Sequence, residues 1–134
     1  MTTQNGKQRA SSDGTRPSPS SASMLTREED TRWAIISHFG AVAGCFPALI
    51  IHLLFRERGP FTAQESKEAL NFTLPLTVIM LVFYGLAFIP SIAAVAGIGG
   101  VVVWACMAIS GIIGGAECNK GRPYRYPVNL RLIR

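Results

Sequence analysis

At 134 residues the chain has room for one domain, and 49% of it is hydrophobic against only 16% charged. The net charge of +5 does not indicate a nucleic-acid partner, because the basic residues flank apolar segments, where the positive-inside rule puts them. Cys45, Cys106 and Cys118 form no paired motif and indicate neither a disulfide framework nor a zinc site.

Residues 1–26 read as a disordered N-terminal tail. This stretch is rich in Ser, Thr, Pro and Gly and holds too few large apolar side chains to offset the entropy of ordering it. No cleavable signal peptide is expected, since the first apolar run starts only at Trp33 and is longer than a signal-peptide core. Residues 27–134 read as one membrane domain with a basic C-terminal tail. At its start, Thr26 and Glu29 have the spacing of a capping box, which predicts a helix from about Arg27.

Trp33 to Phe55 is 23 residues without a charge. About 20 apolar helical residues cross the hydrocarbon core of a bilayer, and backbone groups there must be paired internally, so this segment reads as a first transmembrane helix. Gly40 and Gly44 form a GxxxG pair that permits close helix approach. Pro47 is expected to kink the helix near Ala43. His38, Cys45 and His52 recur every seven residues and would share one face of a continuous helix. Successive members would stand about 10.5 Å apart, too far to hold one ion, and a structural role is expected for both histidines.

The loop from Arg56 to Phe61 leads to Thr62-Ala63-Gln64-Glu65, a second capping-box spacing that predicts the next helix start. Glu57, Glu65 and Glu68, interleaved with Arg56, Arg58 and Lys67, read as a solvated, charge-balanced stretch. Leu70 to Ile89, 20 uncharged residues, is a second span. Pro75 removes the hydrogen bond to the Asn71 carbonyl, so Asn71 and Pro75 read as one structural unit, with Asn71 expected to bond to the first span or to the tail. The uncharged break Pro90-Ser91 joins this span to a third, Ile92 to Ala116, 25 residues long, as a tight hairpin. Gly97, Gly111 and Gly115 lie at helix-packing spacings on the third span, and Trp104 near its middle should face protein.

The C-terminal tail carries five basic residues. The alternation of Tyr124, Tyr126, Val128, Leu130 and Leu132 with Arg125, Asn129 and Arg131 predicts an extended segment lying on an anionic inner leaflet. Packing of the tail against the first loop is the alternative. The distribution of Lys and Arg favours an N-terminus outside and a cytoplasmic C-terminus in the bacterial plasma membrane, whereas a re-entrant first segment would put both ends inside. No nucleophile elbow, phosphate loop or metalloprotease motif is present. No enzyme activity, cofactor or metal is therefore expected.

His38 after Trp33-Ala34, then Pro60-Phe61, Lys67-Glu68-Ala69-Leu70-Asn71-Phe72, and Tyr124-Arg125-Tyr126-Pro127 before Leu130-Arg131-Leu132-Ile133 together resemble a family of small three-span bacterial membrane proteins. That family includes the magnetosome proteins MamF and MmsF, and it has been compared with the small membrane subunit of the chloroplast Tic translocon. The resemblance implies the all-α, three-helix membrane fold and draws attention to His38, Glu68, Asn71, Tyr124, Arg125, Tyr126 and Pro127. Two departures are Thr73, where family members often carry Gln, and the absence of an acidic loop free of balancing base. The functional expectation is a non-enzymatic accessory or scaffold subunit, with a homo-oligomer or another membrane protein as partner. An oligomeric transport component is the rival.

Overall fold

The computed structural model describes residues 23–130, Leu132 and Ile133. Most of the expected N-terminal tail, with Arg131 and Arg134, lies outside the described residues. Among those described there is no strand. Four helices account for the fold: α1 (Arg27–Phe39), α2 (Phe46–Phe55), α3 (Pro60–Leu86) and α4 (Ala93–Asn119).

The Thr26 capping box starts α1 as the spacing predicts. The Thr26 hydroxyl accepts from the Glu29 N–H, and the Glu29 carboxylate accepts from the Thr26 N–H at 2.9 Å. These bonds, the backbone one first, hold the Glu29 carboxyl below the usual carboxylate range.

The first apolar segment departs from a kinked continuous helix. It stops at Phe39, passes through a 3-10 turn (Gly40–Ala43), and restarts at Phe46 with Pro47 in its first turn. Proline tolerates that position because the N–H it lacks would be unpaired there anyway. Gly44 makes the reversal, with φ of 86°, in the region that favours glycine. A Cβ on Gly40 would collide with Pro47. The two glycines therefore serve the turn as well as helix packing.

The result is a hairpin of helices. At its open end the Leu25 N–H donates to the Arg58 carbonyl at 2.8 Å, and Trp33 stacks on Phe55 with ring centroids 4.4 Å apart. At its closed end the Cys45 N–H donates to Thr77 Oγ1 at 3.0 Å. Nearby, Trp104 Nε1 donates to the Val42 carbonyl at 3.0 Å. Trp104 thus meets protein through its ring N–H while its ring stays exposed, and the tip of the α1–α2 hairpin reaches the middle of α3 and α4.

α3 starts two residues before the expected capping box. Pro60 takes the first helical position, and the carboxylate of Asp30 on α1 accepts from the N–H groups of Phe61 and Thr62 at 3.1 and 2.6 Å. The Thr62 hydroxyl donates back to the Asp30 carbonyl at 2.7 Å. A cap supplied by another helix satisfies the orphan donors, and Glu65 is left free to turn inward.

α3 and α4 are each 27 residues long, about 40 Å at 1.5 Å per residue. They form the expected hairpin through Ala87–Ile92. Beyond Thr77 the pair is apolar on nearly every side: Leu81, Val82, Phe88, Val95, Ile98 and Val101 are all exposed. Large apolar patches of this kind mark contact with a membrane or another protein.

Candidate functional site

Polar side chains concentrate where α1, α3 and the end of α4 meet. The signal for Glu65 is a stripe at every fourth residue of α3, Glu65, Ala69, Thr73 and Thr77, all buried. Spacing of four keeps them on one helix face. Thr73 and Thr77 return their hydroxyls to the carbonyls of Ala69 and Thr73 at 2.8 and 2.7 Å, which lets a polar stripe face a packed interior. On α4 the small residues Gly111, Gly114, Gly115 and Cys118 form the opposing face, also buried. A Cβ on Gly111 would collide with the His38 carbonyl, and one on Gly114 would come within 2.7 Å of His38 Nδ1. Glycine there lets α1 approach α4 closely enough to bring His38 to Glu65.

Glu65 is the centre. It is 0% exposed, and its Oε2 gathers three partners: His38 Nε2 at 3.1 Å, the Cys118 thiol at 3.2 Å and the Tyr124 backbone N–H at 3.0 Å. The Gln64 amide donates to Oε1 at 3.4 Å. A buried carboxylate must be matched by donors or opposite charge. Among the described residues the only basic side chain at ion-pair distance from it is His38. His38 is itself fully buried, and its Nδ1 lies 2.8 Å from the Tyr126 hydroxyl. Tyr126 stacks on Phe72, centroids 3.9 Å apart, while Tyr124 stands edge-on to both His38 and Tyr126. Burial pushes the Tyr126 phenol well above its ordinary value, which keeps its O–H available as a donor or acceptor to the imidazole.

The other residues singled out in the sequence fall around this centre. His52 bonds Ser66 Oγ at 3.1 Å. The hairpin therefore brings His38 and His52 to consecutive residues of α3, where a continuous span would have put them near opposite ends. Cys45 sits at the hairpin tip, away from both. Asn71 pairs with the tail twice, its amide donating to the Ile133 carbonyl at 2.9 Å and its oxygen accepting from the Ile133 N–H at 2.7 Å. Pro75 lies inside α3. The Glu68 carboxylate accepts from Asn129 at 2.6 Å.

The tail packs on α3 through Tyr124, Tyr126, Asn129 and Ile133. The extended alternation does not survive: Tyr126 is buried and Asn129 turns to Glu68, while Val128, Leu130 and Leu132 point outward. The contacts to Glu65 and Glu68 come from a backbone N–H and an amide rather than from Arg125, which is exposed together with Pro127. Of the packing glycines, Gly40, Gly44, Gly111 and Gly115 each meet a neighbour. Gly97 has open space around it, and Gly114 is the close contact that sequence reasoning missed.

Chemically the cluster sets an imidazole, a carboxyl and a thiol side by side. His38 Nε2 or Nδ1, a Glu65 oxygen and Cys118 Sγ offer ligand atoms all within 4.8 Å of one another. It is a poor nucleophilic site, since reactive cysteines sit beside positive charge and Cys118 sits beside a carboxylate.

Fold and site together define a small all-α membrane protein. Among the described residues two helices are long and apolar enough to cross a bilayer, with a third, shorter apolar helix beside them, and a closed polar cluster lies at one end. The chain belongs to the magnetosome magnetite crystal formation protein family, MamF/MmsF, whose profile matches residues 29–133. No curated protein and no solved structure matches it.

Proposed function

We propose that this is a non-enzymatic integral protein of the bacterial cytoplasmic membrane, an accessory or scaffold subunit whose α3–α4 hairpin spans the bilayer while α1–α2 enters and returns on one side. The observation that carries this reading is the adjacency of Leu25 and Arg58, with Trp33 on Phe55. Both ends of the first apolar segment lie together, and its tip stops at Thr77 and Trp104, about halfway along the long helices. A non-helical turn at membrane depth is tolerated where protein buries it, and here Thr77 and Trp104 pair its backbone.

This arrangement favours the re-entrant alternative over three full spans. Every Lys and Arg in the sequence falls before Trp33, between Phe55 and Leu70, or after Ala116, and none lies in the turn Ala87–Ile92. With α1–α2 re-entrant, those among the described residues share one face of the membrane. The positive-inside rule makes that face cytoplasmic.

The scaffold role rests on the far half of α3–α4, where the apolar surface is left to lipid and to neighbouring membrane helices. Gly85 and Gly97 have no neighbour within 4 Å there, which suits close approach by another helix. Transport by a single chain has less support. Among the described residues the buried polar side chains of α3 end at Thr77. A mineral-facing acidic loop also has little support, since Glu65 is turned inside, Glu68 holds Asn129, and Arg56 lies 3.5 Å from Glu57. The outward Val128, Leu130 and Leu132, with exposed Arg125, suit contact with anionic lipid at the cytoplasmic surface.

Single cysteines placed at Ser23, Glu57 and Ser91, in a chain whose native cysteines are replaced by serine, test the topology with an impermeant thiol reagent. Ser91→Cys is expected to label in intact spheroplasts, and Ser23→Cys and Glu57→Cys only in inverted vesicles. Labelling of Ser23→Cys from outside would restore three full spans.

A further inference from the structure

We propose that His38, Glu65 and Cys118 form a site for a divalent cation of borderline softness, such as Zn²⁺, where α1, α3 and the end of α4 meet. This inference rests on the α1–α2 hairpin and not on the scaffold role or the orientation in the membrane.

Three features carry it. The first is geometry. Zinc bonds of about 2.0–2.3 Å to nitrogen, oxygen and sulfur put tetrahedral ligand atoms about 3.3–3.7 Å apart. The observed separations from Glu65 Oε2 are 3.1 Å to His38 Nε2 and 3.2 Å to Cys118 Sγ, and all three ligand atoms lie within 4.8 Å of one another, so an ion is reached by side-chain adjustments of no more than about 1 Å. The second is charge. All three side chains are 0% exposed, and a carboxylate with a thiolate balances a doubly charged ion, leaving the buried site neutral. Without the ion, the same carboxylate faces a thiol and an imidazole, with no Lys or Arg at ion-pair distance among the described residues. The third is the outer layer. A ligating histidine holds its second ring nitrogen in a hydrogen bond, and His38 Nδ1 has Tyr126 at 2.8 Å. The Tyr124 N–H similarly braces the carboxylate.

The ligand types agree with the ion class. Thiolate and imidazole select zinc-like metals over Mg²⁺ or Ca²⁺, which prefer all-oxygen shells. Three protein ligands leave one coordination position for water or an outside ligand, the pattern of non-structural zinc sites. Binding replaces protons: the Cys118 S–H proton and the proton between His38 Nε2 and Glu65 Oε2 leave to solvent, so up to two are released per ion. The site lies under Tyr124, and an ion would enter from the aqueous end as the tail lifts.

The test uses the purified full chain in mild detergent, stripped with chelator and titrated with Co²⁺. One equivalent is expected to give the thiolate-to-cobalt charge-transfer absorption, and one equivalent of Zn²⁺ to displace it. The band should persist in Cys45→Ser and Cys106→Ser and vanish in Cys118→Ser. It should weaken at least about tenfold in affinity in Tyr126→Phe, the usual scale for losing an outer-layer partner. A second reading needs no variant: Zn²⁺ should slow alkylation of Cys118 in the wild-type chain at least tenfold, without slowing Cys45 or Cys106. No charge-transfer band at saturating Co²⁺, a band that survives Cys118→Ser, or alkylation of Cys118 indifferent to Zn²⁺ would each overturn the proposal.

Discussion

His38 and His52, on antiparallel helices, meet consecutive residues of α3: His38 reaches Glu65 and His52 reaches Ser66, each at 3.1 Å. That relationship exists only because α1 and α2 fold back on one another. It places His38 and the buried Glu65 carboxylate beneath a tail held by Tyr124, Tyr126, Asn129 and Ile133. The hairpin, the cluster and the tail therefore stabilise one another.

Tyr126→Phe keeps the stacking on Phe72 and removes the hydroxyl from His38 Nδ1. Leaving a buried polar atom without its partner costs about 1–3 kcal/mol. The variant should therefore melt at a lower temperature in detergent with unchanged helix content. The wild-type chain should also lose stability in alkali. Burial raises the folded phenol above its ordinary value, so its contribution is full below about pH 10 and falls as pH climbs toward the folded value. Tyr126→Phe should flatten that alkaline limb, and an unchanged limb would show that Tyr126 titrates freely.

Asp30→Ala removes the cap on the first turn of α3. Losing a capping side chain costs about 0.5–2 kcal/mol. Asp30 serves two backbone donors and is itself buried, so the cost should lie at the upper end. Asp30→Ser, which restores a short acceptor, should recover part of it. Chemical denaturation in mixed micelles measures both.

Gly114→Ala should be destabilising and Gly97→Ala should not. The new methyl at position 114 meets the His38 ring, whereas position 97 opens onto empty space. At position 97 alanine gains up to about 1 kcal/mol of helix propensity. Thermal melts of the two variants should therefore move in opposite directions.

Asn71→Leu should free the end of the tail. Both bonds to Ile133 are lost, and the leucine offers nothing in return. Trypsin cleavage after Arg125 should then speed up several-fold, with the helical core intact. Equal cleavage rates would mean that Tyr124, Tyr126 and Asn129 hold the tail without Asn71.

The long apolar helices, the α3–α4 hairpin and the Thr26 cap were legible because each is written in contiguous residues with a strong local rule. The reversal at Gly40–Cys45 was not. A proline after two glycines reads equally as a kink or as a turn, and the choice between them is made by Thr77, Trp104 and the Leu25–Arg58 contact, which are distant in sequence. Glu65 was misread for the same reason. Its capping-box spacing is real, but Asp30 from another helix takes over the cap, and the buried face through Ala69, Thr73 and Thr77 then decides where Glu65 points. Cys118 lay at the end of a small-residue face of which Gly111 and Gly115 were legible as packing, and that face was silent about the carboxylate it would meet.

The central claim is that the first apolar segment returns to the side it came from. Cysteines at Leu25 and Arg58, in a chain without Cys45, Cys106 and Cys118, measure this in native membranes. The backbones of these residues are joined by a 2.8 Å hydrogen bond, so mild oxidation should close an intramolecular disulfide in most molecules. A segment that crossed the bilayer would hold the same two residues about 30 Å apart. Absence of the disulfide, together with spin labels at the two positions reporting that separation, would contradict the hairpin and the site built on it.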